Sequence, residues 1–196
     1  IFAQEHGLKI GTIADLIHYR TVNERTVEKI RSEKLPTQYG DFQLELFRDL
    51  IDGQSHIALV KGDVMTVDAP FVRVHVADPL RDLMMAVKAK SSGWSLEKAL
   101  SFLGNHTEPG VVLLLGDSFE RHNIDDLVDS FFSGRQPLRP TTGDGTGIYR
   151  TIGTGSQILR DLGLTKMRLL SSPMRFNALS GFDLEIVEYV ESDAAE

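Results

Sequence analysis

Three runs of alternating apolar and polar residues follow one another in the first half of the chain: "FQLELFRD" from Phe42, "SHIALVKGD" from Ser55 and "FVRVHVAD" from Phe71. A period of two sends alternate side chains to opposite faces, so each run reads as a strand with one face on a core. Turn signals at Tyr39-Gly40-Asp41, Asp52-Gly53 and Asp68-Ala69-Pro70 separate them, and the order predicts an antiparallel meander. The spacing then turns helical, with two helices expected over 79–104 and a break at Ser91, Ser92 and Gly93. The continuous apolar run "VVLLL" (111–115) predicts a strand buried on both faces, and "IDDLVDSFF" the helix after it. Residues 133–155 collect Gly, Pro and Thr and read as one long loop. The end alternates again: helix "SQILRDLGL", strand "MRLLSS", a short turn or helix around Met174 to Leu179, and strand "LEIVEYV". An antiparallel start followed by strand and helix alternation predicts a mixed-sheet α/β domain.

The flanks read differently. "IFAQEHGLKIGTIADLIHYRTVNE" suggests a helix end, a break at Gly7, a short strand Lys9 to Thr12 and an amphipathic helix carrying Ile13, Leu16 and Ile17. That stretch is too short to bury a core of its own. The charged "NERTVEKIRSEKLPT" reads as a connector into the first strand, and the acidic "ESDAAE" as a frayed tail. The expected division is a stub over 1–22, a connector over 23–32, the main domain over 33–190 and a tail over 191–196. A chain that opens on Ile1, inside an apparently folded stretch, reads as part of a longer protein.

Composition narrows the chemistry. A net charge of -7 over 196 residues disfavours nucleic acid and anionic membrane surfaces as partners. No apolar run reaches the roughly 20 residues needed to span a bilayer, and the start lacks the build of a signal peptide, so the cytoplasm is the expected location. The chain has no cysteine, which removes disulfides, thiolate catalysis and sulfur-bound zinc. His6, His18, His56, His75, His106 and His122 show no metal-ligand spacing on one helix face. The glycines of "GDGTG" (143–147) and "GTGSQ" (153–157) lack a following Gly-Lys-Ser/Thr and read as turn chemistry rather than phosphate loops. "ERHNIDDL", from Glu120, places charge directly after a buried strand, where α/β folds bind ligands or cap a helix.

Read in order, "EKLPTQYGDFQL", "HIALVKGD", "VRVHVADPL", "GWSLEKAL", "ERHNIDDL" and "RTIGTGSQILRDLGLTKMRLLSSP" resemble the successive segments of GTP cyclohydrolase II, the enzyme that opens GTP at the start of riboflavin synthesis. The resemblance runs from about Glu33 to Val190. The opening "FAQEHGLKIGTIADLIHYR" resembles the extreme C-terminus of 3,4-dihydroxy-2-butanone-4-phosphate synthase, and that order matches bifunctional riboflavin proteins. The resemblance therefore implies a cyclohydrolase II-like mixed sheet, a homodimer and a synthase domain in the same full-length chain.

It also implies a zinc site, and here the sequence departs from the family. The family pattern Arg-Val-His-Ser-Glu-Cys is matched by Arg73, Val74 and His75, but its cysteine falls at Asp78 or Pro79. The later Cys-Asp-Cys falls on Lys90, Ser91 and Ser92, before the matching Gly93. Serine hydroxyls and a lysine cannot replace thiolates around zinc, so no cofactor is expected, and no water activated for ring opening. The Arg-Gln-Glu-Gly-Arg segment becomes Ser118 to His122, which keeps Glu120 and loses both arginines from their positions. The family's Asp-x-Arg becomes Ile148 and Arg150, and Asn-Asn-Pro-Lys-Lys becomes Ser171 to Arg175 with one deletion. Arg150 remains as a vestigial catalytic candidate, and Arg73, Glu120 and Arg175 as substrate-binding candidates. Three readings follow: a structural or regulatory module that dimerises and supports the synthase; a nucleotide or flavin-pathway sensor using Arg73, Glu120, Arg150 and the long loop; or a cyclohydrolase with a relocated metal on His75, Asp78 and Asp82.

Overall fold

The structure is a computed structural model that describes residues 2–11, 16, 19, 24–86, 93–116, 146–173 and 183–192, the side chains of 146–151 excepted. Its centre is a seven-stranded sheet built from β1 (Val27–Thr37), β2 (Gly40–Asp49), β3 (Ser55–Lys61), β4 (Phe71–Val76), β5 (Gly110–Leu115), β6 (Lys166–Leu170) and β7 (Glu185–Val190). The helices are α1 (Phe2–Glu5), α2 (Pro79–Asp82), α3 (Leu96–Asn105) and α4 (Thr146–Asp161).

The strand order is β1-β2-β3-β5-β4-β6-β7. The first three strands form the expected antiparallel meander, but β1 leads it and β4 is not part of it. Instead β5 inserts beside β3, antiparallel to it, and β4 lies parallel to both β5 and β6, with β7 parallel on the far side. The reason lies in β5. "GVVLLL" is apolar at every position and needs cover on both faces and both edges, which only a central place supplies.

The two faces of the sheet carry separate cores. Val111, Leu113 and Leu115 point to one side, where they meet Phe47, Val72, Met167 and Ile158 of α4. Val112 points to the other, with Phe42, Leu59, Phe71, Leu170 and Leu103 of α3. Trp94 and Phe71 both meet Phe102 edge-on, at ring separations of 5.2 and 4.9 Å. Helix α3 is fixed at its start by Ser95, whose hydroxyl accepts from Lys98 N. At its end the Lys61 ammonium donates to the carbonyls of Leu103, Gly104 and His106.

Five expectations need correction. The segment read as a connector, 23–32, is strand from Val27 onward: residues 28–34 are all exposed, so this charged edge strand has no apolar alternation to announce it. The expected strand Lys9 to Thr12 does not form over residues 9–11, which pair with no strand among the described residues. The helix expected from Pro79 is a single turn, ended by Leu83–Ala86, with Met85 at φ 52. The long loop is helical from Thr146, so Gly153 and Gly155 sit inside α4 rather than in turns. Tertiary contact overrides propensity there, because this part of the helix is buried against Leu113 and Leu115 of the sheet. The tail is also anchored further than expected, since Ser192 is buried. The helix "IDDLVDSFF" and the turn around Met174 to Leu179 lie outside the described residues.

Candidate functional site at the C-terminal ends of the parallel strands

Strand β4 alternates, so Arg73 and His75 point away from Val72 and Val74 and toward the face covered by α3. Arg73 is drawn inward. Its Nη1 donates to Leu170 O on β6 at 2.9 Å and its Nη2 to Trp94 O at 2.9 Å. Burial, and secondarily the charge of Arg81, lower its pKa to about 10, with Asp82 opposing. Trp94 is itself tied by its indole Nε1, which donates to Val190 O on β7 at 2.6 Å. Arg73 and Trp94 thus lace together β4, β6, β7 and the entry to α3.

At the end of β4 the chain turns through Asp78, whose Oδ1 accepts from Leu80 N and Arg81 N and so caps α2. One turn later Asp82 folds back. Its Oδ2 lies 2.7 Å from His75 Nε2 and accepts from Asp78 N at 2.7 Å. Both side chains of the His75–Asp82 pair are buried, at 6% and 7% exposure. Burial pushes the Asp82 carboxyl up, but the His75 hydrogen bond, the Asp78 amide, the His75 charge and the Leu96 amide together hold it below its ordinary value. His75 Nδ1 and Asp82 Oδ1 have no hydrogen-bond partner among the described residues.

The same edge carries a second polar knot. Asp49, buried at the end of β2, accepts from Thr154 of α4 at 3.0 Å and from Ile51 N at 2.7 Å. His56 Nδ1 accepts from Gly116 N at the end of β5 at 3.0 Å.

The zinc implied by the sequence resemblance does not fit these donors. A zinc site needs three or four protein ligands, whereas Pro79 offers none, Asp78 caps a helix, and His75 and Asp82 engage each other. No group of three or more His, Cys, Asp or Glu able to hold a metal occurs among the described residues. The relocated set of His75, Asp78 and Asp82 does come together, but as a hydrogen-bonded turn.

Among the other candidates, Arg150 falls in the first turns of α4, with its side chain outside the described residues. Glu120, Arg175, Lys90 and Ser92 also lie outside them. Sequence reasoning missed the parts played by Trp94 and by the Asp49–Thr154 contact. The lone tryptophan behind Gly93 was the available signal for the first; the second joins positions 105 residues apart and had none.

A family model described as GTP cyclohydrolase II matches residues 28–191, from the second residue of β1 to the residue after β7. The chain belongs to the GTP cyclohydrolase II family. Within this family its relatives have a particular build. It is 48% identical over 192 residues to a 3,4-dihydroxy-2-butanone 4-phosphate synthase of Pseudomonas aeruginosa, covering 98% of this chain and 51% of that protein. It is 34% identical to the riboflavin biosynthesis protein RibBA of Aquifex aeolicus, covering 96% of this chain and 48% of the relative. Among solved structures it is similar to RibBX of A. baumannii, a two-domain 3,4-dihydroxy-2-butanone 4-phosphate synthase. The identity is 44% and the TM-score 0.61, over 96% of this chain and 47% of that one. The chain spans about half the length of these relatives. No helix among the described residues is long and apolar enough to cross a membrane.

Proposed function

We propose that this cyclohydrolase II domain has lost ring-opening catalysis and serves a riboflavin biosynthesis protein as a structural or regulatory module. In the full-length protein it is joined to a 3,4-dihydroxy-2-butanone-4-phosphate synthase, residues 1–22 forming the end of that synthase, and it pairs with a second copy as a homodimer. The observation that carries this reading is the closed His75–Asp82 pair, in a chain without cysteine, at the junction where an active member needs zinc-binding thiolates. Zinc is the source of the hydrolytic nucleophile in such a site, and Ile148, at the family's acid/base position, has no proton to exchange. The relatives named as synthases, matched across this domain as well, support the fusion.

The test is to assay the full-length protein, with and without residues 27–196, for synthase turnover and for oligomeric state. The expected outcome is that synthase turnover survives removal of the domain in weakened form while the assembly changes. Unchanged turnover together with an unchanged oligomer would remove the scaffold role.

A further inference from the structure

The large apolar side chains left exposed on the described part of the domain are unevenly placed. Leu50, Ile51, Leu83, Met84 and Met85 are each more than half exposed, and Val76 is partly so. All six lie at one edge of the sheet. Leu50 and Ile51 lie in the β2–β3 turn, which the antiparallel register sets beside the start of β3 and the end of β5, and Val76 ends β4, parallel to β5, with Leu83, Met84 and Met85 after it. The opposite edge, with the Tyr39–Gly40 turn and the start of β4, exposes Met65, while Ile30 and Val187 are partly exposed within the outer strands β1 and β7.

The chain enters the domain at this same apolar edge. Leu50 N donates to Thr26 O at 2.8 Å, and Gln157 of α4 holds Thr26 and Glu24 against the domain. Before that entry point the described residues turn their apolar groups to solvent: Phe2, Leu8, Ile10, Leu16 and Tyr19 are all more than half exposed. Yet the match to the synthase-named relative covers 98% of this chain, reaching well ahead of the cyclohydrolase model's start at residue 28. The leading segment is thus matched in a relative named as a synthase, while its described large apolar residues stay exposed here.

We infer that the edge formed by Leu50, Ile51, Val76 and Leu83–Met85 is the docking surface for the synthase domain of the full-length chain, which the segment ahead of Thr26 delivers to it. The inference rests on the fusion proposed above and adds where the two halves meet. Contact there removes six apolar side chains from water beside the point of attachment, where a tether makes the effective concentration of the partner high. It also places the synthase over the end of β4, across the mouth of the eroded site.

The test uses the full-length protein and limited trypsin cleavage at Lys9, Arg20 and Arg25. Leu50→Glu combined with Ile51→Glu is expected to speed cleavage of this segment about tenfold or more, the consequence of undoing the burial of two aliphatic side chains. Met65→Glu, at the opposite edge, is expected to leave the rate unchanged. Should the charged pair lower the melting temperature of the domain itself, Leu50→Ser with Ile51→Ser removes the apolar area without adding charge and carries the same expectation. Wild-type cleavage in the folded variants, or equal acceleration by Met65→Glu, overturns the docking surface. Synthase activity is measured in the same samples: its presence with unchanged cleavage sinks the docking alone, and its absence sinks the fusion on which it rests.

Discussion

Asp82 joins three pieces of chain with one carboxylate. Truncating it leaves His75 buried without its partner and frees the turn at Asp78, so Asp82→Ala is expected to cost about 2–4 kcal/mol in chemical denaturation. Asp82→Asn, which keeps the shape and loses the charge, should cost less. Because the folded carboxyl sits below its ordinary 3.8, its contribution is present above that pH and is lost as pH falls through the lower folded value. Denaturation midpoints followed from neutral pH to below pH 4 should fall in the wild type and fall less in Asp82→Asn; equal slopes would contradict the pairing. Arg73 makes a second residue-scale prediction. With its guanidinium donating to Leu170 O and Trp94 O, Arg73→Ala strands two inward carbonyls and is expected to lower stability by about 2–4 kcal/mol. Arg73→Lys, a point charge without the fork, should recover only part of it.

Among the elements, two glycines at packing contacts, Gly155 of α4 against β5 and Gly110 of β5 beside β4 and α3, have opposite tolerances. A methyl on Gly155 would lie 3.7 Å from Leu113 and 3.9 Å from Leu115, ordinary contact, so Gly155→Ala should raise stability by about 0.5–1 kcal/mol through helix propensity. A methyl on Gly110 would lie 2.9 Å from Phe71 O, so Gly110→Ala should destabilise, and thermal melts of the two variants should move in opposite directions. The same elements show what could be read in advance. The apolar run "VVLLL" declares β5 because burial on both faces leaves no polar position. The charged β1 declares nothing, since its place is set by the register Val27↔Asp49 to Thr37↔Gly40 and not by a hydrophobic face. The order β3-β5-β4 was equally hidden: alternation identifies a strand but not its neighbour. At the site, the missing thiolates were legible residue by residue, whereas the return of Asp82 onto His75 depends on α2 stopping after one turn, which the helical spacing of 79–90 conceals.

The whole molecule combines a well-packed sheet, closed by α3 and α4, with an edge whose buried polar side chains are engaged in structural hydrogen bonds. Arg73, His75, Asp82 and Asp49 are all occupied in holding elements together, and under the proposed loss of metal and substrate these contacts would carry the fold. Such a domain should be indifferent to chelation: prolonged treatment with a strong zinc chelator is expected to leave its melting temperature unchanged, whereas a structural zinc would make melting chelator-sensitive. The proposed loss of catalysis is tested most directly by GTP consumption by the purified full-length protein with zinc supplied in excess. No turnover above the buffer rate is predicted; sustained, enzyme-dependent opening of GTP would contradict the account.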